Sequence, residues 1–237
     1  MNDLFCWELK YQTCAYSESL LNKIYLQNKK SNQQVDILEI KKAIYYAKKY
    51  HGSQKRLSGK PYYSHPLAVA ELVAPHCFKT DILVTSILHD TIEDTDLTKD
   101  MLEYIFDVNI ANKVDDLTRI KIDRKISSAD MLELLWLQKK EDLLLVKFFD
   151  RLHNMQTIET KPIEKIRAIS EETLLSFLTL NIHLENIFPD MLKSEKELTI
   201  LINKYLSKRQ LFPKDYRLSY HLEGFHLSVP YFENDKY

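Results

Sequence analysis

At 237 residues, 45% hydrophobic and 28% charged, the chain has material for one well-filled core and lacks the composition of a disordered or fibrous protein. Lys and Arg number 33 against 34 Asp and Glu, so a net charge of -1 gives no global field to draw it onto nucleic acid or an anionic membrane. Its 3 glycines, Gly52, Gly59 and Gly224, cannot build a glycine-rich phosphate loop, and with neither GxGxxG nor GxxxxGK[ST] present, dinucleotide-binding and P-loop readings fall away.

The chain opens MNDLFCWELK, with an early acidic residue and no apolar signal segment, and its longest apolar stretch, Leu143 to Phe149, is broken by Lys147. Cys6, Cys14 and Cys77 are odd in number and form no CxxC, which argues against a disulfide framework or zinc ribbon and fits a reducing, cytoplasmic setting. Residues 1–35 end in the polar run QNKKSNQQ and read as an N-terminal extension. From Ile37 onward apolar residues recur at helical spacing, as in Ile37, Ile40, Ile44 and Ala47, so the expected class is all-α. Helices are predicted at 36–51, 66–74, 80–94, 98–106, 108–118, 128–138, 141–159, 163–187 and 190–207. Thr98 suits an N-cap, Pro162 a helix start and Pro189 a helix end. This divides the chain into an extension (1–35), a helical domain (36–187) and a C-terminal helix with an aromatic tail (188–237). The tail carries Phe212, Tyr216, Tyr220, Phe225, Tyr231 and Phe232 and is expected to pack on the domain or on a partner.

The chemistry concentrates in Ser86-Ile87-Leu88-His89-Asp90-Thr91-Ile92-Glu93-Asp94-Thr95. Four-residue spacing on a helix places His89 beside Glu93 and Asp90 beside Asp94. Three carboxylates crowded at the end of an apolar stretch raise one another's pKa, and a divalent cation is the usual way to keep them ionised. His65 precedes Pro66 at an expected helix start, and Asp150 closes the apolar run before Arg151-Leu152-His153-Asn154. Alone, Asp150 reads as well as an ion-pair partner of Arg151, and His65 as a cap; together and in this order they complete a His, His, Asp, Asp set. Mixed nitrogen and oxygen donors without thiolate suit Mn²⁺ or Fe²⁺ better than structural Zn²⁺. Glu93 and Asp94, on the same face, are then candidates to orient a water and take its proton.

These residues resemble the hydrolase domain of the RelA/SpoT homologues, HD-superfamily enzymes that degrade ppGpp and pppGpp. The likeness runs through His51-Gly52-Ser53-Gln54-Lys55-Arg56-Leu57-Ser58-Gly59-Lys60-Pro61-Tyr62-Tyr63-Ser64-His65-Pro66, Leu88-His89-Asp90-Thr91-Ile92-Glu93-Asp94-Thr95, Val114-Asp115-Asp116-Leu117-Thr118-Arg119 and Asp150-Arg151-Leu152-His153-Asn154-Met155, over residues 38–182. It implies His65, His89, Asp90 and Asp150 as ligands of Mn²⁺, and Glu93 with Asp94 as activators of the water that attacks the 3′ pyrophosphate. It further implies Arg56 as the guanine-stacking residue, Asn154 as a nucleoside contact, and Ser58 and Thr157 near the nucleotide. Arg119, Lys121, Arg124 and Lys125 put four cations in seven residues, available to phosphates or forming a solvated helix end or loop.

Two departures stand out: Leu57 replaces a basic residue common in the family, and Ser53 replaces a glycine. The link from Asp130 to Glu141 is short, Glu171 to Leu184 keeps only the general shape of the helix that leads toward a synthetase domain, and no synthetase follows. The expectation is therefore a stand-alone small alarmone hydrolase, or the hydrolase piece of a split bifunctional enzyme, that takes a nucleotide substrate, with homo-oligomerisation left open. The rivals are an HD phosphohydrolase acting on another phosphorylated nucleotide and a catalytically idle alarmone-binding module.

Overall fold

The computed structural model describes residues 6–118, 120–121, 124–207, 219–222 and 225–228, and its helices begin well inside the expected extension. A short α1 (Trp7–Lys10) leads to α2 (Ala15–Lys30). Leu20, Leu21 and Ile24 of α2 are buried on one face, packed toward α3 (Ile37–His51) and α4 (Ser64–Val73). The segment read as an extension thus supplies part of the core. Lys29 and Lys30, within its polar run, form the last turn of α2, where cations meet the carbonyl end of the helix.

Capping chemistry sets the helix ends. Asp36 accepts from the backbone of Leu38 at 2.8 Å and Glu39 at 3.3 Å to start α3, and Gly52, at φ 49°, ends it. Thr98 caps α7 (Lys99–Ile105) through Met101 N, as its sequence position suggests, and Asp107 caps α8 (Val108–Leu117). Ser127 and Asp130 form a capping box on α9 (Ser128–Leu137).

The expected single helix over 80–94 is two helices, α5 (Thr80–Leu88) and α6 (Thr91–Asp94). Every residue from Ile82 to Leu88 is buried, so α5 is enclosed by α3, α4, α8 and α10 (Glu141–Gln156). Side chains that bond local carbonyls accompany the break: His89 Nδ1 lies 2.8 Å from Ser86 O, and Thr91 Oγ1 donates to Leu88 O at 2.6 Å. Such bonds compete with the regular backbone ladder.

Helix α10 carries the buried run Leu143–Phe149 and packs against α4, α5 and α9. It stops at Gln156, short of the expected 159, and a 3₁₀ turn (Ile158–Thr160) leads to α11 (Ile163–Ile187) and α12 (Leu192–Ser207). Both of these also contact α10. The all-α class is present, with two short antiparallel pairs beside it: β1 (Ile120–Lys121) with β2 (Arg124–Lys125), and β3 (Ser219–Leu222) with β4 (Phe225–Ser228). Phe212, Tyr216, Tyr231 and Phe232 of the expected aromatic tail lie outside the described residues, as do the side chains of Tyr220 and Phe225. Among the described residues no helix is long and apolar enough to cross a membrane.

Candidate metal centre

Two helix ends and the middle of a third helix converge: the start of α4 brings His65, the end of α5 brings His89 and Asp90, and Asp150 lies within α10 just past its apolar run. The potential ligand atoms of His65, His89 and Asp150 lie within 4.8 Å of one another. His65 Nε2 is 3.0 Å from Asp150 Oδ1, His89 Nε2 is 3.1 Å from Asp90 Oδ1, and Asp90 Oδ2 is 3.7 Å from His65 Nε2. All four residues expected as ligands are therefore gathered at one point.

The imidazoles are oriented from behind. His65 Nδ1 lies 2.6 Å from His153 Nδ1, and His89 Nδ1 faces the Ser86 carbonyl. A carbonyl only accepts, so His89 carries a proton on Nδ1 and turns Nε2 toward Asp90 and Asp150. That Nε2 is buried and lacks a hydrogen-bond partner. A lone pair aimed at carboxylates is repulsive unless a proton or a metal ion stands between them, so these donors fit a divalent cation. The electrostatics agree in sign. Burial opposes charging His89, yet Asp90 and Asp150 outweigh it and push its pKa up to about 10. Burial alone would raise the Asp150 carboxyl, but Lys147 at 3.1 Å and the two imidazoles hold it well below the usual carboxylate range.

Beside this centre, Glu93 lines the cavity and Asp94 ends the single turn of α6. Tyr62, which the sequence reading did not single out, donates its hydroxyl to Asp94 Oδ2 at 2.6 Å and lies 3.2 Å from Asp90 Oδ2. Burial and the two carboxylates push its phenol far above the usual range, so it stays a donor. Its position three residues before His65, inside the His51–Pro66 stretch that carries the family resemblance, was the signal the sequence offered.

The loop between α3 and α4 forms the opposite wall. Gly52 and Gly59 adopt positive φ there, and Arg56 N bonds Lys60 O to close the tip. Arg56 Nη2 donates to Asn154 Oδ1 at 3.0 Å and Thr157 Oγ1 at 3.1 Å, while Asn154 Nδ2 donates to Asp150 Oδ1 at 2.7 Å. A continuous polar chain thus runs from Arg56 to the metal-type centre. These groups, with Ser58, line a cavity of about 500 Å³. Leu57 lies at the rim, 67% exposed, so its place in the loop is not one of packing. Lys161 is half-buried in the wall, and burial together with Arg56 and Lys165 pulls its pKa below the usual lysine range.

The structure does not bring every motif here. Asp115 pairs with Lys99 at 3.5 Å and Asp116 with Lys140 at 2.6 Å, so the carboxylates of the Val114–Arg119 motif tie α8 to α7 and to the residue that precedes α10. Lys121 lies on β1 and its side chain is outside the described residues, as are those of Arg119, Arg124 and Lys125.

The fold defines a helical protein in which His65, His89, Asp90 and Asp150 meet beside a polar cavity, a donor set that could hold a metal ion. The HD domain model matches residues 43–181, more than half of the chain, and the protein belongs to the HD domain family. The chain is 41% identical over 141 residues to the GTP pyrophosphokinase rsh of Brucella ovis, covering 57% of this chain and 19% of that one. It is 38% identical over 139 residues to the guanosine-3′,5′-bis(diphosphate) 3′-pyrophosphohydrolase of Aquifex aeolicus, covering 57% and 20%. The chain thus spans about a fifth of the length of these curated relatives. A solved structure reported as a metazoan ortholog of SpoT that hydrolyses ppGpp and plays a role in starvation responses covers 76% of this chain and 100% of its own, with a TM-score of 0.53. At 18% identity that likeness is one of fold.

Proposed function

We propose that the protein is a metal-dependent 3′-pyrophosphohydrolase that converts ppGpp to GDP, or pppGpp to GTP, and pyrophosphate. The observation that carries this reading is the polar chain Arg56, Asn154, Asp150, which joins a cationic cavity wall to the His and Asp centre. The relative from Aquifex is named a guanosine-3′,5′-bis(diphosphate) 3′-pyrophosphohydrolase, and the HD domain model spans residues 43–181, which include Arg56, Asp150 and Asn154.

His65, His89, Asp90 and Asp150 would hold the cation, with Mn²⁺ favoured by oxygen and imidazole donors without thiolate. Such an ion supplies Lewis acidity toward water and the phosphoryl oxygens. Arg56 presents a planar guanidinium to the base while its Nη2 stays tied to Asn154 and Thr157. Lys161 and Lys55 line the cavity that would take the remaining phosphates. Glu93 and Asp94 accept the proton of the attacking water. Its oxygen bonds to the phosphorus next to the ribose 3′ oxygen, the P–O3′ bond breaks, the 3′ oxygen takes a proton, and pyrophosphate departs.

The test is incubation of purified protein with Mn²⁺ and ppGpp, followed by ion-exchange chromatography of the products. GDP and pyrophosphate are expected from the parent with metal and from neither Asp90→Ala nor a metal-free sample. A metal-dependent nucleotide complex without turnover would overturn the hydrolase reading in favour of a binding module.

A further inference from the structure

The loop that carries Arg56 and the turn that carries Asp94 are separate elements, and they meet at Gln54. Its side-chain Nε2 donates to the Asp94 carbonyl at 2.8 Å, and its Oε1 lies 2.8 Å from His51 Nδ1. The main-chain carbonyl of Gln54 accepts from Tyr62 N at 2.9 Å. Tyr62 then returns to the same aspartate through its hydroxyl, and its ring stacks on buried His51 with centroids 4.6 Å apart. Asp94 is therefore held at its backbone by one residue of the loop and at its carboxylate by another, and both rest on His51.

Such bracing answers a physical need. Helix α6 is four residues long, far below the length at which a helix stands by itself, and Asp94 is exposed. An exposed carboxylate on an unsupported turn samples several geometries, whereas proton transfer from a particular water requires one. Gln54 Oε1 can only accept, so His51 carries its proton on Nδ1, and the orientation of the amide follows.

We infer that Gln54 and His51 are positioning residues for Asp94, holding its turn through the Asp94 carbonyl and through Tyr62. The inference rests on the role given to Asp94 under the proposed function.

Gln54→Met keeps the side-chain length and removes both amide hydrogen bonds. It is expected to lower kcat on ppGpp about 5- to 30-fold, the range that losing one or two hydrogen bonds allows, with KM and the Mn²⁺ Kd unchanged. In an Asp94→Asn background the same substitution is expected to leave kcat within about twofold, since a residue acting only through Asp94 has nothing further to lose. His51→Phe, which retains the stack on Tyr62, is expected to behave alike with a smaller loss. Parent-like kcat in Gln54→Met, or an undiminished loss in the Asp94→Asn background, would overturn the inference. Hydrogen exchange on the Mn²⁺-loaded protein reads the same point without turnover. The Asp94 and Thr95 amides, bonded to Asp90 O and Thr91 O, are expected to exchange faster in Gln54→Met while α5 is unchanged. If the parent fails to hydrolyse ppGpp, the activity reading falls, and this exchange result still decides the positioning role: unchanged rates would reject it.

Discussion

His65 and His153 share a hydrogen bond, Nδ1 to Nδ1 at 2.6 Å. Burial, with His65 and Arg56 nearby, pushes the His153 pKa down to about 3, so that ring is neutral. With His65 holding a cation through Nε2, its proton would sit on Nδ1 and His153 would accept it. Removing the acceptor in His153→Ala is expected to weaken Mn²⁺ binding about 10- to 100-fold, the usual cost of losing a group that orients a ligand. Calorimetric titration with Mn²⁺ measures this, and parent-like affinity would show that His65 needs no such support.

Asp90 and Glu93 are expected to separate in their effects. Asp90 touches both imidazoles, at 3.1 and 3.7 Å, so Asp90→Ala should lose metal and activity together. Glu93→Gln should retain metal and nucleotide binding while kcat falls about 10²- to 10⁴-fold, as expected for removal of a group that moves a proton. Hydrolysis at the parent rate in Glu93→Gln would remove it from the water-handling pair.

Arg56 bridges Asn154 and Thr157 through one nitrogen while its planar group faces the cavity. Arg56→Ala is expected to raise KM for ppGpp about 10- to 100-fold, matching the loss of charge-assisted hydrogen bonds. Arg56→Lys should restore little, because an ammonium has neither the plane nor the fork. Steady-state kinetics on the three proteins distinguishes this from a simple charge effect, which lysine would rescue.

Leu20 tests whether the first helices belong to the core. It is fully buried in α2 against the rest of the domain. Leu20→Ala is expected to destabilise the protein by about 2–5 kcal/mol, the range for deleting a buried leucine side chain. Urea unfolding followed by circular dichroism reads the change, and a loss under about 0.5 kcal/mol, typical of surface substitutions, would mark α2 as peripheral.

Much of the helical pattern was legible because it rests on local signals. Ile163–Ile187 follows Pro162 and ends before Pro189 as expected, and Thr98 caps α7. The exceptions have local causes that only a folded backbone makes visible. The apolar periodicity runs unbroken through His89, yet the helix stops there amid local side-chain bonds from His89 and Thr91. The polar run at 27–34 obscured the fact that Leu20, Leu21 and Ile24 already form a buried face.

The candidate site divides in the same way. His65, His89, Asp90 and Asp150 were legible by type and order, since each alone reads as a cap or an ion-pair partner and only the set of four suggests a shared cation. Gln54, Tyr62 and His153 did not, because their meaning lies in partners 28 to 88 residues away: Asp90 for Tyr62, Asp94 for Gln54 and His65 for His153. By itself the sequence determined the helical class and the donor chemistry of the centre, both properties of short segments. Which lone pair faces the centre, and which loop braces Asp94, was decided only by tertiary structure, because a hydrogen bond's direction depends on how distant backbones are packed against each other.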